Sequence, residues 1–122
     1  MEYTKLGNSN IEVSKICLGC MSFGKAGTMH DWTLNESESE NIIRHALNLS
    51  INFFDTAMAY QGGSSEEYLG RAIREYGCRD NVVIATKFHG RTLEQIQQGI
   101  SAKDHIENCL NQSLKRLQMD YV

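Results

Sequence analysis

Short apolar runs alternate along this chain with longer segments of helical periodicity, and this alternation limits the fold more than any other feature. Runs of strand length are predicted at residues 16–19, 51–55 and 81–86. Helices are predicted between and after them, at about 36–48, 64–76 and 101–117, and residues 120–122 resemble the opening of a fourth strand. Consecutive strands joined by helices pair in parallel, because each helix returns the chain to the same end of the sheet.

Pairs of capping residues predict where the helices begin. An N-cap residue is followed three positions later by an acidic residue in three places: Asn35 with Glu38, Ser64 with Glu67, and Ser101 with Asp104. Gly77 is predicted to end the second helix as its C′ residue. The apolar stripe of the third helix is predicted to consist of Ile106, Leu110, Leu114 and Leu117.

The segments fit a single α/β unit that begins with a β-hairpin. Residues 3–6 and 11–13 flank a turn at 7–10, which predicts a hairpin over about 1–14. Residues 15–122 then supply about three and a half βα units, without proline, low-complexity sequence or a linker. This arrangement is typical of a small open α/β sheet or of the N-terminal half of a (β/α)8 TIM barrel.

Composition argues against several functional classes. Twelve Lys and Arg against fifteen Asp and Glu give a net charge of −3, which provides no basic field for nucleic acid or an anionic membrane. No apolar run is long enough for a membrane span, and the polar N-terminus is unlike a secretory signal, so we expect a cytoplasmic protein. Cys17 and Cys20 lie three apart at a predicted buried strand and should face opposite sides, which argues against a redox pair. No metal site is predicted.

Three polar residues follow the predicted strands at the position where α/β folds place their chemistry. Asp55 ends the second strand, Lys87 follows the third, and Tyr60 lies in the loop after Asp55. The carboxyl ends of parallel strands share one edge, so we expect the carboxylate and the amine to pair. A tyrosine is a poor proton donor at neutral pH, with an ordinary pKa of about 10, and an adjacent ammonium stabilises the phenolate. The trio could protonate a carbonyl oxygen, or it could be a structural ion pair with an unrelated surface tyrosine.

Five segments in chain order resemble the aldo-keto reductase family. They are LGCMSFG at 18–24, NFFDTA at 52–57, Tyr60 with GSSEEYLG at 63–70, VIATK at 83–87, and SLKRL at 113–117 before Asp120 and Tyr121. The resemblance implies an eight-stranded barrel closed at its bottom by the N-terminal hairpin. It further implies binding of NADP(H) and reduction of small-molecule aldehydes or ketones.

The resemblance also assigns roles to individual residues. Asp55, Tyr60 and Lys87 match three of the four catalytic residues of the family, with Tyr60 as the proton donor. The cofactor contacts that it implies come from Gly19, Cys20, Met21 and Asp55. The fourth catalytic residue of the family is a histidine beyond position 122. We therefore expect a truncated chain that turns over negligibly in isolation.

The histidines and one long loop are the remaining features of the sequence. The histidines at positions 30, 45, 89 and 105 are interpreted as surface or loop residues. The loop 88–100 either contacts substrate through Arg91, Leu93 and Ile96 or is a solvated excursion with a short helical turn, and the latter is favoured.

Two other functions fit the same resemblance. Potassium-channel β subunits resemble this family and act chiefly as binding partners, so the chain could be a non-catalytic regulatory subunit. Unpaired edge strands of the predicted partial barrel could also pair between two copies and form a homo-oligomer.

Overall fold

The computed structural model describes residues 1–77 and 79–122. Over these residues it contains five short strands and four α-helices. They are β1 Tyr3–Lys5, β2 Glu12–Ser14, β3 Cys17–Gly19, α1 Glu36–Asn48, β4 Phe53–Asp55, α2 Ser64–Tyr76, β5 Val83–Ala85, α3 Leu93–Gln97 and α4 Ala102–Leu117.

Strands β1 and β2 form the predicted antiparallel hairpin, with Thr4 opposite Val13. Asn52, just before β4, ties the hairpin to the main sheet, because its Oδ1 accepts from the Ser14 amide at 2.6 Å and its Nδ2 donates to the Glu12 carbonyl at 3.1 Å. The hairpin therefore lies at the end of the sheet where the strands begin, opposite the edge that carries Asp55.

The main sheet is parallel, in the order β3-β4-β5. Leu18, Phe54 and Ile84 lie side by side in register on one face, which forms the core with the helices. Cys17 and Gly19 lie on the other face and are exposed. The prediction of a buried first strand was therefore wrong for this face, because the helices that flank the sheet cover only its opposite side.

The core lies between the sheet and helices α1, α2 and α4, with α2 packed against both of the other two. It is formed by the residues Cys20, Phe23, Ile43, Ala46, Ile51, Phe54, Tyr68, Leu69, Ala72, Ile73, Val82, Ile84 and Leu117. Burial of these apolar side chains is the main force that holds the helices on the sheet. None of the helices among residues 1–77 and 79–122 has the length and apolar character that a membrane span requires.

Helix α1 has the bounds and the cap that the sequence predicts. Asn35 Oδ1 accepts from the Glu38 amide at 3.0 Å, and a Glu38 carboxylate oxygen accepts from the Asn35 amide at 3.0 Å. The Ser101 cap of α4 is also present, since its Oγ accepts from the Asp104 amide at 3.0 Å.

The predicted cap of α2 was wrong. Ser64 is the first helical residue, and Gly63, with a φ of 94°, occupies the N-cap without a side-chain hydrogen bond. The Ser64 hydroxyl instead donates to the Gln61 carbonyl and accepts from the Lys25 amide, at 2.8 and 2.9 Å. Gly77 does end the helix, but as an extended C-cap rather than the predicted C′ residue.

The predicted stripe of α4 was partly wrong. The buried face consists of His105, Cys109, Ser113 and Leu117, whereas Ile106 and Leu110 are exposed. This row of residues four apart packs against two different segments, since His105 lies against His89 after β5 and Leu117 against Gly70 of α2. It includes only the last residue of the predicted stripe.

Two connecting segments complete the comparison with the sequence. Residues 120–122 do not form the predicted strand. The Tyr121 carbonyl accepts from Arg79 Nη2 at 2.7 Å instead, and the Arg79 guanidinium stacks on the Tyr121 ring. The loop 88–100 contains the predicted short helical turn, which is the five-residue α3.

Candidate active site

The parallel register brings Asp55 and Lys87 together at the end of the sheet where the strands terminate. Asp55 is the last residue of β4 and lies between Gly19 of β3 and Ala85 of β5. Lys87 follows β5 by two residues, and its Nζ donates to Asp55 Oδ2 at 2.6 Å and to the Thr56 carbonyl at 2.8 Å. The two hydrogen bonds fix the direction of the lysine side chain.

Tyr60 lies in a tight turn after β4 and completes the cluster. Lys87 Nζ is 4.9 Å from the centroid of the Tyr60 ring. The residues after Tyr60 turn sharply, since Gln61, Gly62 and Gly63 all have positive φ angles, of 48°, 64° and 94°. The structure thus brings together all three residues that the sequence singled out.

Gln61 is a residue of the site that sequence reasoning missed. Its side chain is almost fully buried, and its Oε1 accepts hydrogen bonds from the Thr28 hydroxyl and from the Met29 and His30 amides, at 3.0, 3.0 and 3.1 Å. The Tyr60 turn is therefore attached to the loop that follows β3. No local signal marks a glutamine for this role, because its partners lie about 30 positions earlier in the chain.

The electrostatics of the cluster favour a charged lysine. Partial burial acts to lower the pKa of Lys87, but attraction to Asp55 and Tyr60 outweighs it and raises the pKa above 10.5. The Lys87 and Asp55 side chains are 47% and 39% exposed. An ion pair this accessible contributes at most about 1 kcal/mol to stability. Stability alone is therefore a weak reason for the arrangement, and its groups are open to a small molecule.

The residues predicted to touch a cofactor differ in what they offer. Gly19 is exposed beside Asp55, and a β-carbon placed on it would meet no atom within 4 Å. Met21 is also exposed. The main chain at Gly19 is therefore open to solvent next to Asp55.

The side chain of Cys20 is not accessible to a cofactor. This residue is 0% exposed, its amide donates to the Asp55 carbonyl at 2.8 Å, and its carbonyl accepts from Ser65 Oγ at 2.7 Å. The prediction that Cys20 contacts a cofactor therefore fails for the thiol, because the chain turns inward directly after Gly19. Cys17 and Cys20 lie on opposite sides, as predicted, and both are free thiols.

One histidine prediction was wrong. His105 is buried in α4, where its Nε2 lies 2.8 Å from the His89 carbonyl and 3.5 Å from Cys109 Sγ. His45 and His89 are exposed, as expected for surface residues, and His30 is half-buried. Within residues 1–77 and 79–122, no group of three or more His, Cys, Asp or Glu side chains is placed to hold a metal ion.

Comparison with known proteins decides the family. The model of the Aldo/keto reductase family matches residues 15–122. The chain belongs to the aldo/keto reductase family. This family is one of oxidoreductases, and its members share the (β/α)8 barrel that the sequence predicts, of which this chain forms a part.

Individual relatives match the whole length of this chain. It is similar to the aldo-keto reductase YhdN of Bacillus subtilis (strain 168), at 43% identity over 100% of this chain and 36% of the relative. It is also similar to a probable voltage-gated potassium channel subunit beta of Arabidopsis thaliana, at 38% identity over 100% of this chain and 35% of the relative.

A solved structure gives the same result. The holo form of the aldo-keto reductase AKR11C1 from Bacillus halodurans has a TM-score of 0.77 and 34% identity, over 100% of this chain and 38% of that one. The chain thus spans about a third of the length of the relatives that it matches.

Proposed function

We propose that Asp55, Tyr60 and Lys87 are the catalytic residues of an NADP(H)-dependent reduction of small aldehydes or ketones to alcohols. The observation that carries this proposal is the position of the Lys87 ammonium, 2.6 Å from Asp55 Oδ2 and 4.9 Å from the centre of the Tyr60 ring. A cation held between a carboxylate and a phenol at an exposed edge is suited to proton transfer.

Tyr60 is the proton donor in this proposal. Its hydroxyl gives a proton to the carbonyl oxygen of the substrate, and the Lys87 ammonium stabilises the phenolate that remains. Asp55 and the Thr56 carbonyl hold Lys87 in place for this task. NADPH, when bound, would supply the hydride to the carbonyl carbon, so the two electrons and the proton of the reduction are accounted for.

Gly19, Met21 and Asp55 are the residues that would hold the nicotinamide end of the cofactor. The open main chain at Gly19 supports this assignment, because a larger residue would occupy the space beside Asp55. We also place the protein in the cytoplasm, since the free thiols of Cys17, Cys20 and Cys109 fit a reducing compartment.

The experiment is a chimera in which this chain replaces the corresponding segment of Bacillus subtilis YhdN, to which it is 43% identical. We expect the chimera to oxidise NADPH with 4-nitrobenzaldehyde, and Tyr60→Phe to abolish that activity. Tyr121→Phe is the matched control, because the Tyr121 hydroxyl contacts Asp80 and not the cluster. A Tyr60→Phe chimera with the kcat of its parent would overturn the proposal.

A regulatory role is the second candidate, favoured by the similarity to the Arabidopsis protein named a probable voltage-gated potassium channel subunit beta. In that case the chain would bind the cytoplasmic part of such a channel, and the Tyr60→Phe variant would bind equally well. Comigration of the two purified proteins in size-exclusion chromatography would support this role, and separate elution would reject it.

Self-association through the edge of β5 also stays a prediction. Among residues 1–77 and 79–122, β5 pairs only with β4, and a strand of a second copy could pair with its other side. Light scattering at micromolar concentration would contradict it by showing a monomer.

A further inference from the structure

The first turn of α2 buries three consecutive polar side chains. Ser64, Ser65 and Glu66 are 5%, 0% and 0% exposed. Burial of a polar group costs free energy unless the group forms hydrogen bonds. The hydrogen-bond partners of these three side chains therefore show which segments the turn holds in place. Together the three contact the segments that follow all three strands of the main sheet.

Ser64 and Ser65 hold the segments that follow β3 and β4. Ser64 Oγ accepts from the Lys25 amide at 2.9 Å. Ser65 Oγ donates to the Cys20 carbonyl at 2.7 Å and lies 3.0 Å from Thr56 Oγ1. Both Cys20 and Thr56 come directly after the last residue of a strand.

Glu66 holds the segment that follows β5. One oxygen of its carboxylate accepts from Thr86 Oγ1 at 2.6 Å, and the other accepts from Arg116 Nε of α4 at 2.6 Å. Thr86 lies between β5 and Lys87, so the buried Glu66 carboxylate binds the residue that directly precedes the lysine of the site. A negative charge in the first turn of a helix is also favoured by the helix dipole.

The contact with Thr86 adds to the main-chain hydrogen bonds that hold the segment after β5. On the side of β4, the segment after β5 is held by main-chain hydrogen bonds, from the Thr56 amide to the Ala85 carbonyl and from the Met58 amide to the Lys87 carbonyl, at 2.9 and 3.0 Å. Glu66 adds the restraint that comes from a helix rather than from the sheet.

We propose that Glu66 is a positioning residue that, through Thr86, holds the main chain that presents Lys87 to Asp55 and Tyr60. The importance of Glu66 for catalysis rests on the proposed function, whereas its effect on the position of Lys87 does not. The ion pair with Arg116 would by itself be structural. The hydrogen bond to Thr86 separates the two roles, because it can be removed while the ion pair stays.

The experiment measures the pKa of the Lys87 ammonium by NMR in the lysine-labelled 122-residue chain, with Lys87→Arg to assign the signal. Thr86→Val removes the hydroxyl, and Thr86→Ser keeps it. Thr33→Val is the matched control, since the Thr33 hydroxyl has no hydrogen-bond partner among the residues that the structure describes. We expect the pKa to fall towards that of an ordinary lysine in Thr86→Val and to stay raised in the other two variants.

A folded Thr86→Val protein whose Lys87 titrates as in the wild type would overturn the proposal. Should Thr86→Val not fold, Thr86→Ala gives the same reading, because Thr86 is only half-buried and the change adds no atom. A raised pKa of Lys87 in Thr86→Ala would also overturn the proposal, and a pKa that falls to the ordinary value supports it.

The chimera keeps this result separate from the proposed function. There, Thr86→Val should lower kcat and leave KM unchanged, and Thr86→Ser should restore kcat. An inactive chimera would reject the proposed function, and the Lys87 titration would still test whether Glu66 positions Lys87. An active chimera with an unaltered Lys87 titration in Thr86→Val would reject only the role of Glu66.

Discussion

Gly70 of α2 lies directly against the carbonyl oxygen of Leu117 at the end of α4, and a β-carbon at position 70 would be 2.2 Å from that oxygen. The two helices can approach this closely only because residue 70 has no side chain. The contact brings the C-terminal end of α4, including Arg116, over the first turn of α2.

We therefore expect Gly70→Ala to destabilise the fold by about 2 kcal/mol, as overpacking in a core does, although alanine favours a helix over glycine by about 1 kcal/mol. Urea denaturation followed by circular dichroism measures the change. Gly90→Ala is the control, because a β-carbon on Gly90 would meet no atom within 4 Å. A Gly70→Ala protein as stable as the wild type would show that the helices are not in this contact.

Arg116 should be important for stability because its partner is completely buried. Removal of one member of a buried ion pair costs about 3–5 kcal/mol, since the other charge is left without compensation. We expect Arg116→Met to lose a large part of that amount, and the double variant Glu66→Met/Arg116→Met to lose less than the sum of its two single changes. Denaturation of all four proteins gives the coupling free energy, and a coupling of zero would contradict the buried pair.

Cys17 should react with thiol reagents in the native state, whereas Cys20 and Cys109 should not. Cys17 is exposed, and the other two are buried. Partial burial and the charge of Asp55 raise the pKa of Cys17 against the opposing effect of Lys87, which lowers the thiolate fraction at neutral pH. Asp55→Asn should therefore speed the labelling of Cys17, and Lys87→Met should slow it.

Mass spectrometry after a timed exposure to iodoacetamide, in a Cys78→Ser background, measures the rates. Equal rates in the wild-type and Asp55→Asn proteins would show that the carboxylate does not act on the thiol. Labelling of Cys20 at the rate of Cys17 would contradict its burial.

The raised pKa of Lys87 predicts a pH-dependent contribution to stability. Because the folded protein holds this proton more tightly than the unfolded chain does, the contribution is complete below the ordinary pKa of 10.5 and is lost as the pH rises through the folded value. We expect the stability difference between the wild type and Lys87→Met to be constant near neutral pH and to shrink above about pH 10.5. Lys103→Met controls for the general effect of one missing lysine.

Denaturation at several pH values between neutral and strongly alkaline conditions gives the comparison. A difference that grows with pH would mean that folding lowers the pKa of Lys87. That result would argue against its hydrogen bond to Asp55 in solution.

Local patterns in the sequence determined the elements and the order in which they occur. The capping pair of Asn35 and Glu38 predicted the start of α1, because a cap is satisfied by residues three positions apart. The positions of Asp55 and Lys87 after their strands predicted the ion pair, since parallel strands end at a common edge. These features depend on neighbours in the chain or on a simple rule of topology.

Only the tertiary structure decided where the other polar side chains lie. Ser64 pairs with Lys25 instead of capping α2, and Gln61 bonds to residues 28–30. The buried face of α4 is set by the segments that pack on it rather than by its most apolar stripe, since His105 Nε2 lies 2.8 Å from the His89 carbonyl and Leu117 lies against Gly70 of α2. A buried polar group must find a partner wherever the fold brings one near, and for Glu66 that partner is Arg116, 50 positions along the chain.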